Sequence, residues 1–137
     1  MEQLVRLASS VMFVAQLDRS VAFYRDVFAC SVAIRDLGAA LLVAPDGFQL
    51  YLVEKGDRAQ HPLAHIGVQY LMWSTDSAEA LDAIEAALRE RGGHPDRHSS
   101  GGVMFVRGHD PDGIGVVIAH PSPESLPRSV IGARLYN

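Results

Sequence analysis

Besides its sixteen carboxylates, the side chains of this chain with the chemistry to hold a metal, move a proton or attack a carbonyl include six histidines, four tyrosines and one cysteine. His61 and His65 stand four apart, a spacing that would place two imidazoles on one helix face for a metal, but Pro62 between them argues against a helix. His94 and His98 follow Gly92-Gly93 in "GGHPDRHSSGG" and read as loop residues. His120 ends an apolar run. His109 immediately precedes the turn Asp110-Pro111-Asp112-Gly113, and its role is the most open of the six. Each histidine also fits a solvated or structural position. Cys30, inside "FYRDVFACSV", reads as core filler rather than nucleophile, and a single cysteine forms no internal disulfide.

The elements that must position these groups follow from periodicity. Residues 9–16, "SSVMFVAQ", are apolar and β-prone. In "LDRSVAFYRDVFA" the period changes: Val21, Tyr24, Val27 and Phe28 share a helical face, with Asp18 as the expected N-cap. One strand follows within 31–44, through "AALLVA", and another at 48–54, joined by Pro45-Asp46-Gly47, standard turn chemistry. Residues 55–66 are polar and read as a linker. "GVQYLMWST" then reads as a strand and "DSAEALDAIEAALRERGG" as a helix. Asp76 with Glu79 resembles a capping box, Leu81, Ile84, Ala87 and Leu88 form the apolar stripe, and the glycine pair stops it. "GVMFVRG", the second Pro-Asp-Gly turn and "IGVVIAH" complete the order. The two turns lie sixty-six positions apart, so a whole module recurs.

The expected organisation is one domain over 1–137: module one about 9–54, linker 55–66, module two about 67–120, and a C-terminal arm 121–137. The fold class is α+β. One helix covers only one face of each sheet, so the expectation is that both sheets curl around a shared cavity. The chain has 137 residues and a formal charge of −4, without the basic stripe that nucleic acid demands. Its first twenty residues hold neither a signal-peptide core nor a membrane span. A soluble, cytoplasmic protein is expected, with no nucleic-acid or membrane partner.

"QLDRSVAFYRDVFACSV" resembles the "DLxxSxxFYxxxLGxxV" segment of the glyoxalase / bleomycin-resistance / extradiol-dioxygenase superfamily, the vicinal oxygen chelate proteins. "HDPDGIGVVI" resembles its second-module "DPDGxxxEL". The resemblance covers residues 9–120 and implies paired βαβββ modules, usually a homodimer, and in the family's enzymes a divalent metal on four side chains, two from each module. Counted from the motifs, those four positions hold Ser9, Tyr51, Tyr70 and Val117. Valine has no lone pair, serine is a poor ligand, and neutral tyrosine favours at most oxidised iron. No metal and no cofactor are therefore expected.

If those positions point inward, strand alternation adds Val11, Phe13, Gln49, Val53, Val68, Met72, Gly115 and Ala119. Leu50, Leu52, Leu71, Trp73, Val116 and Ile118 then face the helices. The expected substrate-binding set is Ser9, Phe13, Gln49, Tyr51, Tyr70, Met72 and Val117, a lining suited to a planar, partly polar molecule. The expected function is metal-independent binding of an aromatic metabolite or drug in a dimeric cleft. Two alternatives stand beside it. One is a metal-free isomerase or lyase in which Tyr51 or Tyr70 donates a hydrogen bond and His109 or a water moves the proton. The other is an interaction module whose inward side chains merely fill a closed core.

Overall fold

The structure is a computed structural model that describes residues 7–56, 68 and 70–122. His61, His65, nearly all of the expected linker and the arm from residue 123 lie outside the described residues. The chain divides into two compact units, Met1–Gln60 and His61–Asn137, with the division inside the expected linker.

The first unit runs β1 (Ser9–Val14), α1 (Leu17–Phe28), β2 (Ser31–Asp36), β3 (Ala39–Val43) and β4 (Gln49–Glu54). The strands lie in the order β1-β4-β3-β2, with β1 parallel to β4 and the other pairs antiparallel. Helix α1 buries Leu17, Val21, Phe23, Tyr24, Val27 and Phe28, while Leu42, Leu50 and Leu52 are fully buried. Phe23 packs edge-on against Tyr24 with ring centroids 4.9 Å apart. The helix begins at Leu17, with Gln16 as an N-cap that makes no side-chain bond. Its first N–H donates instead to Glu54 Oε1 at 2.8 Å, so the end of β4 satisfies a donor that the helix leaves open. Asp18, expected as the cap, lies inside the first turn and pairs with Arg35 of β2.

The region 31–44 holds two strands. All six residues of β2 are exposed, and its pairing with β3 shifts register between Val32 and Ile34, a β-bulge.

The second unit runs β5 (Tyr70–Ser74), α2 (Ala78–Glu90), β6 (Asp96–Ser100), β7 (Val103–His109) and β8 (Gly115–His120). Its order, β5-β8-β7-β6, repeats the first, again with a parallel first-to-last pair. Ser77 rather than Asp76 caps α2, its Oγ accepting from Ala80 N–H at 3.1 Å. Leu81 and Leu88 are buried; Ile84 and Ala87 are half-buried. Strand β6 replaces the expected loop around His98. It has no apolar alternation, so its pairing with β7 makes it a strand, context overriding propensity. Arg97 of β6 holds α2 through Glu85 at 2.7 Å and Asp82 at 2.6 Å.

The repeated turns share two backbone hydrogen bonds. Ala44 N–H donates to Phe48 O at 2.8 Å and Gly47 N–H to Ala44 O at 2.8 Å; Asp110 N–H donates to Ile114 O at 2.9 Å and Gly113 N–H to Asp110 O at 3.0 Å. Gly47 at φ 96° and Gly113 at φ 82° take the left-handed conformation that glycine permits.

The expected curling of the sheets around a cavity is not found. Each unit has an open four-stranded sheet, with β1 and β2, or β5 and β6, as its outer strands among the described residues. The premise that the second face of each sheet must be hidden by curvature fails differently in the two units. In the first, that face stays exposed at Val11 and Phe13. In the second, the side chains pack on one another: Val103, Phe105, Val117 and Ala119 form a buried cluster, with Tyr70 and Met72 against it.

Two positions yield predictions. A Cβ on Gly93 would stand 2.8 Å from His109 O and 3.1 Å from Leu88 O, both backbone atoms that cannot swing aside. Gly93→Ala is expected to cost about 1–3 kcal/mol by overpacking, read as a lowered Tm in thermal melts; an unchanged Tm would refute this close approach. Cys30 is buried, and burial first, then the nearby Asp46 carboxylate, pushes its thiol up to about 11. The folded protein at pH 8 therefore holds about a hundredfold less thiolate than a thiol at its ordinary value of 9.0. Iodoacetamide is expected to label Cys30 only after urea is added, and rapid labelling of the folded chain would contradict its placement.

Candidate functional site

Residues directly opposite on paired strands share a sheet face, so the register assembles the site row by row. On the open face of the first unit, Ser9 lies opposite Gln49, and Gln49 opposite Val43. The next row is Val11, Tyr51, Leu41 and Ile34. The third is Phe13, Val53, Ala39 and Asp36. Leu50 and Leu52 of β4 alternate to the helix side, as expected. On the open face Val11 is 63% exposed, Phe13 57%, Ile34 58% and Tyr51 39%. Ser9 is half-buried and Gln49 exposed. Four of the seven expected binding residues, Ser9, Phe13, Gln49 and Tyr51, thus share one accessible, largely apolar face.

Lys55 adds a charge that the sequence reading assigned to the linker. Its N–H donates to Val14 O at 2.8 Å, and its Nζ stands over the Phe13 ring, 4.7 Å from the centroid. The signal was present: Gln49, Tyr51, Val53 and Lys55 continue one alternation along β4.

In the second unit Tyr70 lies opposite Gly115, and Gly115 opposite His109. The next row is Met72, Val117, Arg107 and Asp96. After it come Ser74, Ala119, Phe105 and His98. Tyr70, Met72 and Val117 therefore share a face, but Val117 is 1% exposed and belongs to the buried cluster. His98 stacks on Phe105 with centroids 5.3 Å apart and planes at 19°. Arg107, two before His109 on the same strand, was missed by the sequence reading, although alternation puts both on one face. His109 is the last residue of β7; its N–H donates to Gly93 O at 3.0 Å, so the stop of α2 fixes its place. His120 turns to Thr75, its Nδ1 lying 2.9 Å from the backbone oxygen.

A cleft of about 490 Å³ opens where α1 begins, bounded by Asp18, Asp36 and Glu54 together with Arg35. Its carboxylates serve the fold: Glu54 takes the Leu17 N–H, Asp18 the Arg35 side chain, and Asp36 the Leu37 N–H.

The divalent metal that the resemblance implies for the family's enzymes does not fit these residues. Val117 brings no donor atom and sits in hydrocarbon. The remaining positions supply only hydroxyls. Among the described residues no group of three or more histidines, cysteines or carboxylates could hold a metal ion. Among them, too, no helix is long and apolar enough to cross a membrane.

Comparison with known proteins places this architecture. A glyoxylase/bleomycin resistance protein/dioxygenase domain from Frankia sp. EAN1pec is similar at TM-score 0.71 and 21% identity, over 85% of this chain and 98% of that one. Lactoylglutathione lyase from Agrobacterium tumefaciens is similar at TM-score 0.65 and 17% identity, over 86% and 95%. A glyoxalase/dioxygenase from Nostoc punctiforme reaches TM-score 0.71 at 15% identity, over 87% and 97%. At such identities the likeness is one of fold. No curated protein matches in sequence. The family model for the glyoxalase/bleomycin resistance protein/dioxygenase superfamily, however, matches residues 5–118, and with two βαβββ modules in the same strand order, the chain belongs to that superfamily.

Proposed function

We propose that the protein binds a planar, partly aromatic small molecule without a metal, on the open face of the first unit's sheet. One observation carries the reading: Val11, Phe13, Ile34 and Tyr51 stand exposed on a single face, with Ser9 and Gln49 at one end of it. Monomeric proteins seldom leave contiguous apolar surface bare unless something binds there. Stacking on the rings and the side chains of Val11 and Ile34 supplies affinity, while the Tyr51 hydroxyl, Ser9 and Gln49 fix orientation. A homodimer in the cytoplasm is part of the same proposal; a monomer mass by light scattering removes the dimer from it and leaves ligand binding untouched.

A second reading concerns the other unit, where Tyr70, Met72 and Val117 share a face with His109. It is favoured by the row that places Tyr70 and His109 on either side of Gly115. There Tyr70 donates a hydrogen bond to a developing oxyanion and His109 moves the proton, a metal-free enzyme.

The two readings separate cleanly. For binding alone, a panel of planar aromatic compounds raises Tm and the bound compound is recovered chemically unchanged. Tyr51→Ala then weakens binding by about tenfold, and its exposure keeps the unliganded Tm within about 2 °C of the parent. For the enzyme, Tyr70→Phe abolishes turnover while barely altering binding. Turnover that survives Tyr51→Phe and Tyr70→Phe, singly and together, removes the enzyme reading; a panel without any Tm shift removes the binding one.

A further inference from the structure

We infer that the ligand of the open face is an aromatic lactam or carboxamide, its N–H and C=O read together by the Gln49 side chain. The inference rests on the binding reading above and names its ligand class.

The open face changes character along its strands. Its first row is Ser9, Gln49, Val43 and Ser31, polar at three of four positions. The second row, from Val11 to Ile34, is apolar but for the Tyr51 hydroxyl. A flat molecule on the second row therefore meets a polar border along one edge. Within that border Ser31 Oγ is engaged, donating to Val43 O at 3.5 Å. Ser9 and Gln49 remain to face the molecule. Gln49 is exposed and Ser9 half-buried, and neither side chain has a hydrogen-bond partner among the described residues.

Charge decides which head group suits this border. Arg19 and Arg25 belong to α1, which packs on the other face of the sheet. Arg35 pairs with Asp18, and Lys55 stands over Phe13, two rows away. The charge nearest to Gln49 along the chain is Asp46, whose Oδ1 accepts from Phe48 N–H at 3.0 Å in the adjoining turn. An anionic head at the first row meets a carboxylate and, among the described residues, no cation. An ammonium head leaves the Gln49 NH2 without an acceptor. The head that remains is neutral and carries both a donor and an acceptor.

The glutamine amide sets a C=O acceptor beside N–H donors. Both are used at once only when the ligand offers the complementary pair side by side, as when glutamine reads the adenine edge. A phenol or a ketone engages one of them; a lactam engages both. The lactam carbonyl has a second lone pair, within reach of the Ser9 hydroxyl one strand away, about 4.8 Å across the sheet. From the Gln49 row to the Tyr51 row is about 7 Å along the strands, the length of a fused pair of aromatic rings. Such a ring system lies across Val11 and Tyr51 with its amide edge at Gln49.

The test uses three probes titrated calorimetrically into the full-length chain: carbostyril, a fused aromatic lactam; N-methylcarbostyril, which lacks the N–H; and 2-naphthoate. The Gln49 side-chain amide and the Val11 methyls are followed by NMR. Carbostyril is expected to bind about tenfold more tightly than either other probe, as two neutral hydrogen bonds allow, and to shift both sets of signals. Gln49→Met, which keeps the length and removes the amide, is expected to lower carbostyril to the affinity of its N-methyl derivative. Its Tm is expected to stay within about 2 °C of the parent, since the position is exposed. Tyr51→Ala is expected to weaken carbostyril and its N-methyl derivative alike. Equal affinities for those two in the parent chain, or an undiminished preference in Gln49→Met, would overturn the amide assignment and leave the binding reading standing. Tighter binding of naphthoate, or shifts confined to the second unit, would overturn it too. If none of the three binds but other planar aromatics raise Tm and shift Val11, the inference alone falls. If no planar aromatic does so, the reading beneath it falls as well.

Discussion

Each module depends on the parallel pairing of its first strand with its last. β1 aligns Ser9 with Gln49 and β5 aligns Tyr70 with Gly115, joining segments some forty residues apart in the chain. A parallel pair requires a crossover; here the helix spans the sheet and the intervening strands return by hairpin turns. The helix takes one face, and its demand for hydrocarbon fixes which residues of β4 and β8 turn inward beneath it. The opposite face is what remains, and every candidate binding residue stands there. A slip of one residue would bring Leu50 and Leu52 to the open side and bury Tyr51.

The two modules share a backbone and spend it differently. Positions of identical topology hold Tyr51 and Val117, Leu41 and Arg107, Ser9 and Tyr70. In the first unit the open face carries apolar side chains over little that packs on them. In the second, Phe105 and Val103 thicken the layer until Val117 is enclosed, and polarity moves outward to Arg107 and His109. A duplicated fold thus presents an apolar surface in one copy and a polar margin around a filled floor in the other. Fold membership therefore says little about activity; the side chains on those rows decide it.

Much of this architecture was legible because it rests on local patterns. The helical stripe of Leu81 and Leu88, the Pro-Asp-Gly turns and the alternation of "FQLYLVE" each express one period or one turn chemistry. What escaped depends on partners distant in sequence. Strand β6, "DRHSS", has no pattern of its own and exists through β7. The cap of α1 comes from Glu54, thirty-seven residues away, which no local rule connects to Leu17. Whether the sheets would curl was not a sequence question: alternation names two faces but not what becomes of the second. Lys55 was readable by counting in twos beyond the point where β4 was taken to end, and Arg107 by counting in twos within "GVMFVRG".

The irregularity between Val32 and Ile34 bears on how the first unit behaves in company. Among the described residues β2 is the outermost strand on its side, with six exposed residues, and an outer strand is ordinarily an invitation to intermolecular β-pairing. Here the ladder is broken by an extra residue, and Arg35 and Asp36 stand immediately after the break. A bent, charged border is a poor template for amyloid-like addition. The unit can therefore display an apolar surface while its rim discourages self-assembly into fibrils.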